Sequence, residues 1–490
     1  MKMDVDLNLS LTINEKKLQS FLSRQNEKIL EQITKKNNDK DNKVSTLPTN
    51  YLNKPLKISQ GQSGNYHQYA SLYISRLNLC YNPLKQQAEQ KWPNTPICRN
   101  ILDLKGKDEK VIIGITFKEM PLKPSILKGV EAMIGIKKVE SFVNEAEDFL
   151  SLEDSSGRIK INSELSKSIN IGEFITGIPV ALKGVLDEKG LFIVNDYEFY
   201  QIKTGEENAP APLNSEESEN VILFVSGLHF GDPSEKDGKL NLSREMLIDF
   251  IQKKNLSDEY NKISEKITRV IICGNSIYSP PDTELVEKGS FSKSELNTRI
   301  YKTILENYES FDSYLQTLSN YIPVDVMPGE DDDNSIFFPD TELKELMFPQ
   351  CKNVLNKTLN LVTNPYYFNI DKKDYIGTSG ENVDSIRQCS VIKDPLDIME
   401  KTLRWGHLAP SAPNDLRCFP FQKNDPLILE KIPDFYFVGG QKEFSSKIVD
   451  ICGKSVALIS VPDFYSSFSC GILNTKTKEI KEIKFIYTNE

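Results

Sequence analysis

The spacing of apolar residues changes character several times along the chain. Roughly the first 55 residues are rich in Lys, Asn, Gln and Asp. Within them "LQSFLSRQNEKILEQI" (Leu18 to Ile33) sets Leu18, Phe21, Leu22 and Ile33 partly on one face, which predicts a short amphipathic helix. The stretch after it, Lys35 to Asn50, has too few apolar residues to offset chain entropy. In "YHQYASLYISRLNLC" the residues Tyr66, Tyr69, Tyr73 and Leu77 recur at three- and four-residue steps. A second helix is expected there, with that stripe facing a core. From about Asp103 the pattern turns to short strands. "KVIIGITFKEM" is one; "DFLSLEDSSGRIKIN" gives two alternating runs around Ser155-Ser156-Gly157; "IPVALKGVLDEKGLFIVNDYEFY" repeats this around Glu188-Lys189-Gly190. About five strands closed by hairpins predict a small Greek-key barrel of the OB type.

"TGEENAPAPLNSEESEN" (Thr204 to Asn220) is polar, acidic and proline-bearing, and reads as a linker. Beyond it buried strands alternate with helices. "VILFVSG", "TRVIICGNS" and "IPVDVMPGE" are the strands. "SREMLIDFIQKKN" is a helix with Ser243 as its N-cap and Met246, Leu247, Phe250 and Ile251 on its apolar side. "SKSELNTRIYKTILENYESFDSYLQTLSN" is a long helical stretch. The C-terminal part, from "DFYFVGG" to "CGILNTKTKEIKEIKFIY", is strand-rich and completes a two-sheet sandwich. The fold class expected is α/β plus β. Residues 1–55 form a polar, part-helical segment and 56–203 the OB domain with its preceding helix. Residues 204–220 are the linker and 221–490 the layered domain.

Composition narrows the function classes. The 490 residues carry a formal net charge of -10 and 39% apolar residues. An acidic chain does not grip nucleic acid by its own surface, because neutralising phosphates needs clustered Lys and Arg. The OB strands mix charges without basic–aromatic interleaving, so a structural role is expected over single-strand binding. The eight cysteines, Cys80, Cys98, Cys273, Cys351, Cys389, Cys418, Cys452 and Cys470, are scattered without a CxxC pair. That spacing reads as reduced thiols in an intracellular protein, with no structural zinc. Neither a signal peptide nor a membrane span is legible. "TKKNNDKDNK" from Thr34 reads as solvated linker, with nuclear import the alternative.

In a layered α/β domain, chemistry sits beyond the carboxyl ends of the strands. Three such ends are legible: "VSGLHFGD", "CGNS" and "MPGEDDD". Their order resembles the metallophosphoesterase domain of the calcineurin-like superfamily. That family uses Asp-x-His, Gly-Asp, Gly-Asn-His and a final Gly-His-x-His to hold two metal ions that activate a water and clamp a phosphoryl group. This chain departs at nearly every ligand. Gly227 stands at the first Asp, although His229 remains, and Asn275 replaces the bridging carboxylate. Glu330 and Asp331 stand where Asn and His are expected. The last motif becomes Gly439-Gly440-Gln441-Lys442. The chain has only three histidines, His67, His229 and His407. His229 and His407 read as hydrogen-bonded structural residues, with a metal role the alternative. The run Glu330 to Asp333 reads as a solvated acidic loop or partner contact, with weak binding of a divalent cation the alternative. No metal and no cofactor are expected.

Further blocks extend the likeness: "HQYASLYISRL", "FKEMPLKPSIL", "LFVSGLHFG", "RVIICGNS", "VDVMPGE", "LVTNPYYFNID", "YIGTSGENV", "HLAPSAPNDLRCFPF", "DPLILE" and "VPDFYSS". In this order the chain resembles the small (B) subunits of eukaryotic replicative DNA polymerases, and the MPLKPSIL and DVMPGE blocks favour the delta branch. The resemblance implies a non-catalytic nuclear scaffold in which an OB domain packs on an inactive phosphoesterase domain. It implies docking of the cysteine-rich C-terminal domain of the catalytic subunit and a bridge to a third subunit. The sliding clamp and DNA are reached only indirectly, and no membrane is involved. The alternatives are a divergent metal-dependent phosphoesterase or 3′ nuclease, and a single-strand-binding OB module.

Overall fold

Three sheets carry the fold. The computed structural model describes residues 9–13, 50–51, 69–123, 141–202, 219–278 (apart from 234, 236–237 and 255–256) and 293–487 (apart from 333). The first two strands, β1 (Leu9–Ile13) and β2 (Asn50–Tyr51), fall in the segment expected to be polar and part helical. The alternation of Leu9, Leu11 and Ile13 is the basis of β1, a five-residue signal that is easily passed over. The expected helix at Leu18 to Ile33, the basic cluster from Thr34 and most of the linker lie outside the described residues.

Helix α1 (Ala70–Lys91) forms as expected but turns a different face inward. Its buried row is Leu72, Arg76, Cys80, Leu84 and Ala88, at four-residue steps. The expected stripe is displaced: Tyr69 is 41% exposed, Tyr73 and Leu77 are half-buried, and Tyr66 lies outside the described residues. The smaller Cys80 and Ala88 let the helix approach Val111, Ile113 and Ala181 closely, and bulky tyrosines would hold it off. Those partners belong to β3 (Lys110–Glu119) and β6 (Pro179–Leu186) of a five-stranded sheet. With β4 (Phe149–Glu153), β5 (Arg158–Lys160) and β7 (Phe192–Phe199) its order is β5-β4-β3-β6-β7, antiparallel throughout. A parallel bridge from Ile161 to Phe192 joins its two edges. Both hairpins are held by an aspartate. Asp154 Oδ1 accepts from the amides of Ser156 and Gly157, and Asp187 Oδ1 from those of Lys189 and Leu191.

The remaining chain builds two sheets face to face. The first takes β8 (Val221–Val225), β9 (Ile267–Cys273), β10 (Val324–Met327) and β11 (Leu359–Leu361) as parallel neighbours. Between them run α2 (Lys239–Ile251), α3 (Asp258–Ser264) and α4 (Lys293–Ser319). Helix α2 begins after Gly238, so Ser243 is not its N-cap; the Ser243 hydroxyl is buried mid-helix and donates to the Phe485 carbonyl. The second sheet takes β12 (Tyr366–Ile370), β13 (Lys373–Thr378), β14 (Phe435–Gln441), β15 (Ser445–Ile451) and β16 (Lys454–Pro462), with β2 on one edge. Helices α5 (Glu381–Cys389) and α6 (Pro395–Arg404) cross from β13 to β14, and the short α7 (Phe464–Ser467) follows β16. The last strands, β17 (Ser469–Asn474) and β18 (Ile480–Tyr487), return to the first sheet, and β1 adds in parallel to β18. Phe224, Ile271 and Met327 of the first sheet meet Phe368, Phe435 and Phe437 of the second in a continuous core. Among the described residues no helix is long and apolar enough to cross a membrane.

The five-stranded sheet is not a separate bead. Its Leu150, Leu182 and Phe192 share one apolar cluster with Ile386, Met399 and Trp405 from the α5–α6 layer. Polar bonds pin the same joint. Arg76, fully buried, donates to Asp425 Oδ2 at 2.6 Å and to the carbonyls of Gly177, Pro410 and Ala412. Lys118, also buried, donates to the Cys389 carbonyl at the end of α5 (3.0 Å) and lies 3.6 Å from Asp148. His407 completes the Arg76 site. Its Nδ1 accepts from the Ala409 amide, so Nε2 carries the proton and donates to Asp425 at 3.0 Å. Removing Arg76 leaves Asp425 charged, buried and short of its main partner. Arg76→Met is therefore expected to cost about 3–5 kcal/mol of folding stability in urea titration. Lys85→Met, on the exposed face of the same helix, is expected to cost under about 0.5 kcal/mol. Equal effects in the two variants would refute a structural role for the buried arginine.

Candidate functional site

The parallel strands all end on one rim, and the two sheets bring their ends together there. Gly227 follows β8, Asn275 follows β9, and Glu330 and Asp331 follow β10. Ser379 and Gly380 follow β13, and Gly439 to Gln441 end β14. The loops are stitched by main-chain bonds: the Gly227 amide donates to the Gly274 carbonyl, the His229 amide to that of Asn275, and the Phe230 amide to that of Ser276. Asp332, expected to be solvated, is the brace of the rim. Its carboxylate accepts from the amides of Ser276, Ile277 and Gly329, each at 2.9 Å, and so ties the second strand end to the third. Asp333 lies outside the described residues.

The positions matched to phosphoesterase ligands are filled in other ways. Gly227 has φ +63, and a Cβ there would overlap the Asp463 carboxylate. Asn275 packs on Gly329 so closely that a Cβ on the glycine would overlap the asparagine side chain, whose Oδ1 accepts from the Asp331 amide. The Gly440 amide donates to Ser226 Oγ, and a Cβ at Gly440 would fall 2.7 Å from the Ser379 carbonyl oxygen. Lys442 and Glu330 are exposed beyond the rim. His229 is buried and stacked on Tyr465, with ring centroids 4.2 Å apart. Its Nδ1 is 3.8 Å from Asp232 and its Nε2 3.8 Å from Asp331, both beyond hydrogen-bond distance. Burial lowers its pKa, and the nearby Arg244 charge adds to this. His407 is not part of the rim; it belongs to the Arg76 joint. His67 lies outside the described residues. The residues present do not fit a two-metal centre, and among the described residues no three His, Cys, Asp or Glu side chains are placed to share an ion.

Four further residues reach the rim that the sequence does not mark as site residues, although their motifs are visible in it: Asp463 in "VPDFYSS", Asn364 in "LVTNPYYF", and Ser379 and Glu381 in "GTSGEN". Asn364 Nδ2 lies within hydrogen-bond distance of Asp340 Oδ2 (3.1 Å), Ser379 Oγ (2.7 Å) and Glu381 Oε1 (3.2 Å). One amide thus sits between the buried Asp340 carboxyl and the half-buried Glu381 carboxyl.

Two family models cover most of the described chain. Residues 68–197 match the OB-fold domain of the DNA polymerase delta subunit, and residues 222–446 match the B subunit of DNA polymerases alpha and epsilon. The DNA polymerase delta small subunit of Oryza sativa subsp. japonica is 32% identical over 431 residues, spanning 87% of this chain and 95% of the relative. That of Saccharomyces cerevisiae is 28% identical over 487 residues, spanning 90% and 94%. A solved archaeal phosphodiesterase covers 54% of this chain at 14% identity with a TM-score of 0.27, too distant to bear on its chemistry. The chain belongs to the B-subunit class of replicative DNA polymerases, in the delta small-subunit family.

The rim carboxyls make stability depend on pH. Burial pushes Asp332 and Asp463 up to about 7, for Asp332 against three amides that favour its charged form. Burial also raises Asp340, and the Glu381 charge raises it further; Glu381 is raised by burial and by Glu330 and Asp332. A carboxyl whose folded pKa is raised contributes stability that is fully present below its unfolded pKa of about 4 and is lost as pH climbs through the folded value. Asp340→Asn, which keeps the amide contact without a charge, is expected to flatten the fall in Tm between pH 6 and pH 8.5. Parallel slopes for variant and parent would show that no proton is held there.

Proposed function

We propose that the chain is a non-catalytic scaffold subunit of DNA polymerase delta, acting in the nucleus in replication and repair synthesis. It docks the cysteine-rich C-terminal domain of the catalytic subunit and bridges to a third subunit. Clamp and DNA are reached through those partners. The observation that carries the non-catalytic reading is Asp463 over Gly227, since the place of a first metal ligand is taken by a carboxylate from another loop. Support for the assembly comes from small-subunit relatives that match along nearly their whole length. The shared core between the OB-type sheet and the layered body supports a rigid platform.

Two outcomes test this. Mixed at micromolar concentration with the C-terminal domain of the catalytic subunit, the chain should elute as one complex burying on the order of 2,000 Å² or more. Two separate peaks would sink the assembly reading. The purified chain should neither bind Mn²⁺ tightly nor cleave single-stranded DNA, and His229→Ala should leave polymerase activity intact. An Mn²⁺-dependent nuclease activity that travels with this chain and disappears in His229→Ala would restore the enzyme alternative.

A further inference from the structure

The face that α1 turns away from the core is not bare helix. Tyr73, Ile74, Leu77, Asn78 and Tyr81 form one wall of a groove of about 350 Å³. Ile115 of β3 lies at its floor, and Arg99, Asn100 and the β4–β5 turn form the other wall. This is where the displaced stripe goes: Tyr73, Leu77 and Tyr81 recur at four-residue steps along the groove, half-buried, with Leu77 and Tyr81 also packing in part against the core. Ile74, at its lip, is 52% exposed. The wall from Tyr73 to Tyr81 spans about 12 Å, or roughly two helical turns.

The charges of the groove are unequal in one respect. The acidic wall is satisfied: Glu153 pairs with Arg158, and Asp154 accepts from the amides of Ile101, Ser156 and Gly157. Asn100 donates to Asp103. Arg99 is exposed and, among the described residues, has no ion pair and no side-chain hydrogen bond. The unmatched charge in the groove is therefore a guanidinium beside an apolar ridge. A single nucleic-acid strand fits this poorly, because Glu153 and Asp154 would face its phosphates. A helix fits: i, i+4 ridges of one helix seat against those of another, and a carboxylate on its flank meets Arg99.

We propose that this groove seats a two-turn amphipathic helix of another subunit of the polymerase assembly, with apolar residues at i and i+4 and an acidic residue toward Arg99. The proposal rests on the scaffold reading above, and it adds the surface and the chemistry of the segment that fills it. Ile74 and Arg99 are exposed, so changing them leaves the fold's own packing in place, which an unchanged Tm confirms.

The test uses the full chain with the catalytic subunit and the third subunit of the same organism, each added separately. Ile74→Asp and Arg99→Glu are each expected to weaken one of the two subunits at least tenfold and to leave the other unchanged. Leu165→Asp, another exposed apolar position in the OB-type domain, is the control and is expected to change neither. A photo-crosslinker at Asn78 should attach to one helical segment of the affected subunit. Converting the acidic residue of that segment to Lys should restore binding to Arg99→Glu. If the parent chain assembles with both subunits and Ile74→Asp and Arg99→Glu do so equally well, the groove proposal is wrong while the scaffold reading stands. If the parent chain binds neither subunit, both are wrong. Crosslinks that reach only a second copy of this chain, or only added oligo-dT, also overturn the proposed occupant.

Discussion

One buried charge pair fixes how the parts of this molecule sit. Arg76 arises from the helix that precedes the OB-type sheet, and Asp425 from the loop that leads into β14. Burying either charge alone would be costly. Together they are tolerated because four of the five guanidinium N–H groups find an acceptor: one carboxylate and three carbonyls, from Gly177, Pro410 and Ala412. Burial would raise the Asp425 pKa, but Arg76 and His407 outweigh it and hold the carboxyl well below the usual range. His407 is held down to about 4 by burial and by the Arg76 charge, so it stays neutral and acts as a donor. The relative placement of sheet, helix and layered body follows from this one geometry, with the shared apolar cluster closing around it.

Much of the fold is legible in the sequence because its signals are local. The two hairpins announce themselves by Asp154 and Asp187 ahead of glycine turns, and the strands β8, β9 and β10 by unbroken apolar runs. Where sequence and structure part, the deciding contacts lie far apart in the chain. The tyrosine row of α1 has the right period for a core stripe, but periodicity cannot say which of two apolar faces has a partner. The tighter fit of Cys80 and Ala88 against β3 and β6 decides it. Ser243 looks like a cap by residue type, yet the helix starts earlier and its hydroxyl bonds to Phe485, 242 residues away.

The rim is legible by subtraction only. The departures from the phosphoesterase motif at Gly227, Asn275 and Gly440 can be counted in the sequence. What stands there instead cannot, because Asp463, Asn364 and Glu381 reach the rim from the ends of elements that the sequence does not bring together in advance. Asp332 shows the same limit in reverse. A run of acidic residues reads as solvent-facing, yet one member turns inward because three unpaired amides need an acceptor.

The packing at Gly227 gives the molecule a direction in which change is easy and one in which it is blocked. Where a ligand is lost and an empty socket remains, a single substitution can bring it back. Here the space over Gly227 is occupied by Asp463, the backbone has settled at a positive φ, and Asn275 is wedged on Gly329. An aspartate introduced at position 227 alone would clash with Asp463 before it could reach an ion. An acidic side chain at that position would need coordinated changes at positions 227, 463, 275 and 329, each unfavourable without the others, so the rim's packing locks its own composition.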